Sequence, residues 1–342
     1  MTRAGRANPV RTGEFLQQTD TKEIFMQQDT KQQQNRPYDL ICIGTALVDS
    51  VIKGFDPAPV SASGYRARSI TLHVGGEAVN VSMAAAKLGL RTAILCALGA
   101  DEAGSMIQRA LEASGVETEL TVPAQQTPVT TMFVRDDGTR KSITSGAHRF
   151  NFHPEQDPAL FTGARALALG SLFRAPFDDP EIISGVILPA KQAGETVFAD
   201  TKLPNFSKLT LPDLHEVLPM IDYITPNEDE ARYFTGETDP EKMADVFLNS
   251  GVKHVIIKLG REGCFLKNEK ESIRLPGYAI DAVDATGAGD NFLAGLISEI
   301  LQGRTQAEAL RFANACGAIC TTAVGAGSAL RNREQVLHWI KA

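Results

Sequence analysis

Short apolar runs alternate with longer segments of helical pattern from residue 38 onward. Six runs rich in Val, Ile, Leu and Ala predict strands at 39–43, 93–98, 166–169, 196–199, 223–224 and 254–258. Helices are predicted at 78–87, 102–114, 180–192, 228–234, 241–249, 289–301, 306–321 and 333–340. This alternation predicts a three-layer α/β/α fold, in which helices cover both faces of a mostly parallel central sheet.

Two segments break this alternation. Segment 51–74 combines prolines with alternating polarity, and segment 130–144 predicts a hairpin whose turn is Asp137 and Gly138. Both predict exposed antiparallel strands, so we expect a small β-sheet that forms a lid over a ligand cleft. Because an exposed sheet has unpaired edges and an apolar face, we also expect a homodimer that covers the lid.

The first 36 residues differ from the rest of the chain. They hold seven glutamines, mixed charges and almost no apolar periodicity. Such a segment cannot bury enough surface to offset the entropy of ordering it. We therefore expect a disordered tail over 1–36 and one folded domain over 37–342. A translation start at Met26 is a further possibility, which the intact mass of the natively expressed protein would test.

Composition excludes several classes of protein. The chain has 342 residues, 43% of them hydrophobic, and a formal net charge of −7. It contains neither a long apolar run nor a basic stripe with interleaved aromatic residues, so we expect no membrane and no nucleic-acid partner. Its five scattered cysteines favour reduced thiols, and the cytoplasm is the expected location.

A glycine-rich segment precedes one predicted helix. Thr286, Gly287, Ala288, Gly289 and Asp290 follow one another there. A helix start has unpaired N–H groups and the positive end of the helix dipole, and glycines let an anion approach them. In a purely structural interpretation, the Asp290 carboxylate would stabilise the helix by interacting with the positive end of its dipole. In a functional one, it would accept a proton from a hydroxyl that attacks phosphorus.

Five segments, in this order, together resemble the signatures of the PfkB family, the ribokinase-like carbohydrate kinases. They are 44–49, 75–80, 225–231, 258–263 and 284–290. Each is weak alone: Gly75 and Gly76 would suit a tight turn, and Asn227 would suit a helix N-cap. Their order and the matching rhythm of strands and helices extend the resemblance from residue 38 to the end of the chain.

The resemblance implies a ribokinase-like fold and transfer of the γ-phosphoryl group of ATP to a sugar hydroxyl. It implies that Asp290 is the general base and that Gly287, Ala288 and Gly289 form the anion hole. The sugar hydroxyls would be held by four further residues, namely Asp49, Gly75, Gly76 and Asn80.

The same resemblance implies a nucleotide site and two cation sites. The residues implied for ATP are Asn227, Lys258, Gly260, Gly263, Thr286, Gly287, Gly289 and Asn314. Glu230, with Asn227, would organise Mg²⁺ through water. Asp284, Thr286 and the loop around Gly325 resemble a monovalent-cation site, which K⁺ would fit.

Some positions depart from the family pattern. Glu77 stands where ribokinases usually carry lysine, and segment 170–173 lacks the acidic residue expected at a ribose site, so ribose is disfavoured. Segment 200–202 departs from the Asp-x-Asn-x-Arg pattern of many fructokinases. Lys202 is expected to be an exposed lysine at a strand end, with neutralisation of a phosphate or an acidic substrate group as the alternative.

Two other functions stay open at the level of sequence. A nucleoside kinase would share the fold, and a sugar or nucleotide sensor would share it without catalysis. His148 and Arg149 follow the second lid segment. We expect them to be solvated, with contact to a substrate under a closed lid as the alternative.

Overall fold

The computed structural model describes residues 36–54, 66–135, 140–145, 152–205 and 207–341. Almost all of the predicted tail lies outside the described residues, as do Asp137, Gly138, His148 and Arg149. The strands are β1 (Tyr38–Ile43), β2 (Leu47–Lys53), β3 (Ser69–Gly75), β4 (Thr92–Leu95), β5 (Ala97–Gly99), β6 (Val122–Ala124), β7 (Val129–Val134), β8 (Arg140–Thr144), β9 (Ala164–Leu172), β10 (Thr196–Thr201), β11 (Tyr223–Ile224), β12 (His254–Lys258), β13 (Cys264–Asn268) and β14 (Ser272–Leu275). The helices are α1 (Glu77–Lys87), α2 (Glu102–Ala113), α3 (Pro180–Gln192), α4 (Glu228–Thr235), α5 (Pro240–Asn249), α6 (Ala288–Leu301), α7 (Gln306–Cys320) and α8 (Arg333–Lys341).

The central sheet has eight strands in the order β14-β13-β12-β11-β10-β9-β1-β4. The run from β12 to β4 is parallel, whereas β13 and β14 join it in antiparallel fashion. Along β1, Leu40 and Cys42 pack into one hydrophobic cluster, while Ile41 and Ile43 pack into another. A strand buried on both faces needs apolar residues at every position, which explains the continuous apolar runs of the sequence.

Helices cover both faces of this sheet. The first cluster holds apolar side chains of α1, α2, α6, α7 and α8, and the second holds those of α3, α4 and α5. The predicted three-layer α/β/α fold is therefore confirmed, and each predicted helix agrees with the observed bounds to within one residue at either end. None of the described helices is both long and apolar enough to cross a bilayer.

A second sheet is formed by the two segments that break the alternation, in the order β3-β2-β7-β8. The pairs β2 with β3 and β7 with β8 are antiparallel, and β2 with β7 is parallel. Asp49, His73 and Thr130 pair across neighbouring strands and share one face. Exposed Leu72 and Ile143 share the opposite face, so the expected small sheet is amphipathic.

One predicted strand is wrong. The run 93–98 was expected to be a single strand, but it divides at Cys96 into β4, which pairs with β1, and β5, which pairs with β6. The Cys96 carbonyl accepts a hydrogen bond from Val122 N–H at 2.9 Å. Because both halves are partly or fully buried, the apolar pattern continues through the point where the chain changes partner.

Candidate active site

Functional side chains gather where the parallel strands end and three helices begin. Strands β9 and β10 end at Leu172 and Thr201, and helices α1, α4 and α6 start at the same edge of the sheet. Carboxyl ends of parallel strands and helix N-termini meet at this edge in α/β folds, where ligands bind. The site is therefore built from segments that are far apart in sequence.

Asp290 lies in the first turn of α6 and is only 7% exposed. Its Oδ2 accepts a hydrogen bond from Asn80 Nδ2 of α1 at 2.7 Å, which joins residues 210 positions apart. Burial raises the pKa of Asp290 to about 7, with Lys202 opposing the rise and Glu77 adding to it. A carboxylate with a pKa near neutrality is suited to accept a proton and to release it again.

The glycines before Asp290 are required by close contacts. Gly287 caps α6 with φ 77°, and a Cβ there would lie 2.2 Å from Ala326 Cβ. A Cβ at Gly289 would lie 3.1 Å from Lys258 Nζ, so the ammonium group lies against this helix start. Ala288 N–H already donates to the Ala285 carbonyl at 3.2 Å. The Lys258 ammonium group therefore lies next to the positive end of the α6 dipole.

The loop that precedes α6 is held by a carboxylate. Asp284 Oδ1 accepts hydrogen bonds from Thr286 N–H at 3.0 Å and from its hydroxyl at 2.7 Å. Asp284 Oδ2 accepts one from Gly325 N–H at 3.1 Å. The three residues that the sequence assigned to a monovalent cation thus meet at one point, with Asp284 as the centre of the turn.

A second group of polar residues lies beside the helix start. Asp200, at the end of β10 and 3% exposed, accepts from Lys258 Nζ at 2.6 Å and from Thr225 Oγ1 at 2.8 Å. Glu230 Oε2 accepts from Thr201 Oγ1 at 2.9 Å and from Asn227 N–H at 3.0 Å.

Asn227 has the N-cap geometry considered from the sequence. Its side chain accepts a hydrogen bond from Glu230 N–H at 2.9 Å, and the two residues form a reciprocal capping box at the start of α4. Burial raises the pKa of Glu230, Lys258 lowers it and Asp200 raises it further.

Lys202 and Glu77 connect the two parts of the site. Lys202 Nζ lies 3.4 Å from Glu77 Oε1, and their side chains are 35% and 19% exposed. Burial alone would raise the pKa of Glu77, but Lys202 and a hydrogen bond from the Ser171 hydroxyl hold it below its ordinary value. The expectation that Lys202 is a freely exposed strand-end lysine is wrong, because its side chain is partly covered and paired.

The expected sugar-binding residues lie where the lid sheet meets α1. A Cβ at Gly75 would lie 2.6 Å from Asp49 Oδ2, and one at Gly76, whose φ is 101°, would lie 2.2 Å from the Thr45 carbonyl oxygen. Burial, with a contribution from Glu77, raises the pKa of Asp49 to about 6. Asn80 Oδ1 is buried and has no hydrogen-bond partner among the described residues. An acceptor without a partner is suited to a ligand hydroxyl.

Three of the expected nucleotide residues, Gly260, Gly263 and Asn314, lie on one wall at the other side of the site. Asn314 Nδ2 donates to the Pro276 carbonyl at 3.3 Å, and a Cβ at Gly263 would lie 2.5 Å from Gly277 N. Gly260 is exposed in the turn that precedes Gly263. An open pocket of about 620 Å³ adjoins this wall, lined by Arg261, Glu262, Gly277, Tyr278, Ala279, Ile280 and Asp281.

Sequence reasoning missed the contribution of three residues. From the sequence, Asp200 is only a departure from a family pattern and Ser171 only part of a segment without an acid, while Lys202 is expected to be exposed, with a phosphate or an acidic substrate group as the alternative partner. Their common signal is their position at or just after the ends of β9 and β10, where the carboxyl-end rule for α/β sheets would have placed them in the site.

Comparisons with known proteins cover most of the chain. A model of the pfkB family carbohydrate kinases matches residues 39–333. Ribokinase of Haemophilus influenzae is 30% identical over 272 residues, 78% of this chain and 87% of that protein. Probable fructokinase-5 of Arabidopsis thaliana is 28% identical over 309 residues, 85% of this chain and 94% of that protein. The structure of Arabidopsis thaliana ribokinase with ribose and ATP matches with a TM-score of 0.78 at 26% identity, covering 89% of this chain and 99% of that one.

Replacing Gly287 by alanine at the start of α6 is expected to destabilise the protein more than replacing Gly303 by alanine just after the end of that helix. Gly287 and Gly303 both have a left-handed backbone, with φ 77° and 73°, but a Cβ at Gly303 meets nothing within 4 Å. We expect Gly303→Ala to lower the free energy of unfolding by about 1 kcal/mol. Gly287→Ala should lower it by about 2–5 kcal/mol, because it adds an overlap with Ala326. Urea unfolding of both variants measures the difference, and equal losses would contradict the contact.

Proposed function

The chain belongs to the pfkB family of carbohydrate kinases, which are phosphotransferases with an alcohol group as acceptor, and we propose that it transfers the γ-phosphoryl group of ATP to a sugar hydroxyl with Asp290 as general base. The observation that carries this proposal is the environment of Asp290. It is buried at a helix N-terminus, hydrogen-bonded to Asn80, and has a pKa raised to about 7. Burying a carboxylate costs free energy, and a purely structural role would not require that cost. The location of Asp290 therefore favours a catalytic role.

The reaction would begin with the sugar hydroxyl beside Asp290. The Asp290 carboxylate accepts the hydroxyl proton as the oxygen attacks phosphorus. Asn80 keeps the carboxylate oriented through its 2.7 Å hydrogen bond, and its buried Oδ1 accepts a second sugar hydroxyl. Asp49 accepts further hydroxyls. Gly75 and Gly76 let the backbone pass close to Asp49 and to the Thr45 carbonyl, where no side chain would fit, and so bring the end of β3 and the start of α1 to the sugar.

Negative charge that develops on the transferred group would be met at the start of α6. The N–H groups of Gly287 and Gly289 and the helix dipole face it, and Ala288 contributes once its bond to the Ala285 carbonyl is shared. Lys258, whose ammonium group lies against Gly289, adds a positive charge. Positioning and charge neutralisation of this kind supply most of the catalysis in phosphoryl transfer.

Residues on the far side of the base fit ATP and Mg²⁺. Bound Mg²⁺ neutralises phosphate charge, and the carboxylate of Glu230 with the amide of Asn227 fits a metal that keeps several of its waters. We place the phosphates at Thr286 and the nucleoside at Gly260, Gly263 and Asn314, next to the open pocket of about 620 Å³ that Arg261, Glu262 and Gly277 help to line.

We propose that a K⁺ ion binds beside the loop that Asp284 holds. Asp284 brings Thr286 and Gly325 together through three hydrogen bonds. Oxygen ligands in a loop of this kind suit a monovalent cation. Because the loop precedes the helix start, an ion there would fix the N–H groups that face the phosphates.

We further propose that the outer face of the lid sheet forms a homodimer. Ile70, Leu72 and Ile143 are 65%, 58% and 67% exposed and lie on the face opposite Asp49. Large apolar side chains gathered on one exposed face are a mark of association. A second copy would cover this face and leave the Asp49 face toward the substrate.

A substrate panel tests the function. The purified full chain is given ATP and Mg²⁺ with pentoses, hexoses, sugar acids and nucleosides, and ADP release is followed with mass spectrometry of the product. A phosphorylated sugar is the expected product. Phosphorylation of nucleosides alone would indicate a nucleoside kinase, and the absence of turnover with every member would favour a noncatalytic sensor.

Asp290→Asn is expected to lower turnover by about two to four orders of magnitude, because an amide cannot act as the general base. ATP binding, followed by calorimetry, should stay close to that of the wild type, since the backbone of α6 is retained. Asp245→Asn is the matched control, because Asp245 pairs with Lys267 on the surface of α5. Near-normal turnover of Asp290→Asn would exclude Asp290 as the base.

The double variant Leu72→Glu, Ile143→Glu is expected to convert a dimer into a monomer at micromolar concentration. Charges on this face would meet like charges across a two-fold interface and lose the apolar contact. Sedimentation velocity measures the change, with Leu188→Glu on α3 as the control because Leu188 is also exposed. A wild-type monomer, or a dimer that survives both glutamates, would exclude this interface.

A further inference from the structure

We propose that the ion pair between Lys202 and Glu77 restricts the site to uncharged sugars and excludes sugar acids and sugar phosphates. The inference rests on the proposed function and deepens it, because it names the chemical class of the sugar. Neither residue takes part in the proposed phosphoryl transfer, so the pair is available for a role in substrate selection.

Glu77 lies between residues that we propose to hold the sugar. It is the first residue of α1, two positions after Gly75, where a Cβ would lie 2.6 Å from Asp49 Oδ2. Asn80 follows three positions later, and residues at this spacing are neighbours on a helix surface. Asn80 Nδ2 in turn donates to Asp290 Oδ2 at 2.7 Å. The Glu77 carboxylate therefore belongs to the wall between Asp49 and the proposed base.

Lys202 reaches this wall from the end of a neighbouring strand. It follows β10 directly, and its N–H donates to the Leu172 carbonyl at the end of β9 at 3.0 Å. Its Nζ lies 3.4 Å from Glu77 Oε1, and the two side chains are 35% and 19% exposed. The pair is thus neither sealed in the core nor fully exposed. A ligand at this wall would meet two charges that already neutralise each other.

Two further cations at this edge of the sheet also have partners within the protein. Lys258 Nζ donates to Asp200 Oδ1 at 2.6 Å and lies against the start of α6, next to Gly289. Arg174 Nε donates to the Leu203 carbonyl at 2.8 Å. An anionic group on the sugar would have to compete with one of these contacts, and breaking a partly buried ion pair leaves its carboxylate without a partner.

Carboxylates outnumber ammonium groups among the residues placed around the sugar. Asp49, Glu77 and Asp290 are acidic, whereas Lys202 is basic. Burial, with a contribution from Glu77, raises the pKa of Asp49 to about 6, and burial raises the pKa of Asp290 to about 7. These surroundings already oppose negative charge. A carboxylate or phosphate on the substrate would add repulsion, whereas sugar hydroxyls can donate hydrogen bonds to the acidic groups.

The described strands of the lid place no lysine or arginine directly beside Asp49. His73 and Thr130 pair with Asp49 across the neighbouring strands, and Thr130 Oγ1 lies 3.0 Å from Thr144 Oγ1. Lys53 shares this face, but it lies about 13 Å further along β2, at the end away from α1. The lid strands thus offer imidazole and hydroxyl groups to the sugar, which suit an uncharged partner.

Matched sets of sugars test the inference. The purified full chain is given ATP and Mg²⁺ with glucose, gluconate or glucuronate, with ribose, ribonate or ribose 5-phosphate, and with fructose, fructose 1-phosphate or fructose 6-phosphate. The anionic members of a set are modified at opposite ends, so at least one of them keeps the acceptor hydroxyl. The ratio of kcat/KM for the neutral member to that for the better anionic member measures discrimination against charge. We expect a ratio of about 100 or more for the wild type.

Variants of the pair should move this ratio in opposite directions. Glu77→Gln is expected to lower it about tenfold, because Lys202 is then free to pair with the anionic group, while the amide still accepts its hydrogen bond. Lys202→Gln should raise the ratio, because it leaves the carboxylate unpaired. The double variant Glu77→Gln, Lys202→Gln has the same total charge as the wild type and should have a similar ratio. Glu241→Gln is the control, because Glu241 pairs with Lys267 on the surface of α5.

Calorimetry of the same sets without ATP measures the preference independently of turnover. A wild type that prefers an anionic member would overturn the inference, as would an unchanged ratio in Glu77→Gln. Should Glu77→Gln not fold, an unchanged or lowered ratio in Lys202→Gln would overturn it. If neutral sugars bind in preference but accept no phosphoryl group, the proposed function fails while the inference stands. The absence of both binding and turnover would overturn both.

Discussion

The candidate site depends on a balance between buried carboxylates and two lysines. Glu77, Asp200, Glu230 and Asp290 all lie where strand ends and helix starts exclude water, and an isolated buried charge there would cost several kcal/mol. Lys258 bonds to Asp200, and Lys202 pairs with Glu77. The first pair lies against the start of α6, since Lys258 Nζ would lie 3.1 Å from a Cβ at Gly289, and the second lies at the start of α1.

Small residues make this arrangement possible, because they let the backbone of several elements meet. Gly287 admits Ala326 against the helix cap, and a Cβ at Gly295 would lie 2.8 Å from Cys316 Sγ where α6 packs on α7. Asn291 Nδ2 donates to the Gly287 and Ala326 carbonyls, both at 2.9 Å. The start of α6 is thus held in place by its contacts with Ala326 and Asn291, and a fixed helix start is the condition for the preorganised stabilisation of charge that we propose there.

Local features of the structure could be predicted from the sequence, and long-range pairings could not. The start of α4 follows from Asn227 and Glu230, because an N-cap and its partner lie three residues apart. The family resemblance places Asn80 and Asp290 at one site, but no pattern in either segment indicates the hydrogen bond that joins them across 210 positions. Lys202 was misjudged for the same reason, since its partner Glu77 comes from another helix. The sequence does not indicate that strand 93–98 divides. Both halves are partly or fully buried, so the apolar pattern continues through the division.

The lid and the base are connected through a short piece of chain. Strand β3 ends at Gly75, Gly76 caps α1, and Asn80 follows within the first turn of that helix. No side chain fits at Gly76, because a Cβ there would lie 2.2 Å from the Thr45 carbonyl oxygen. Since Asn80 bonds to Asp290, the sugar site that we propose at Asp49 and the base that we propose at Asp290 are joined through the start of α1.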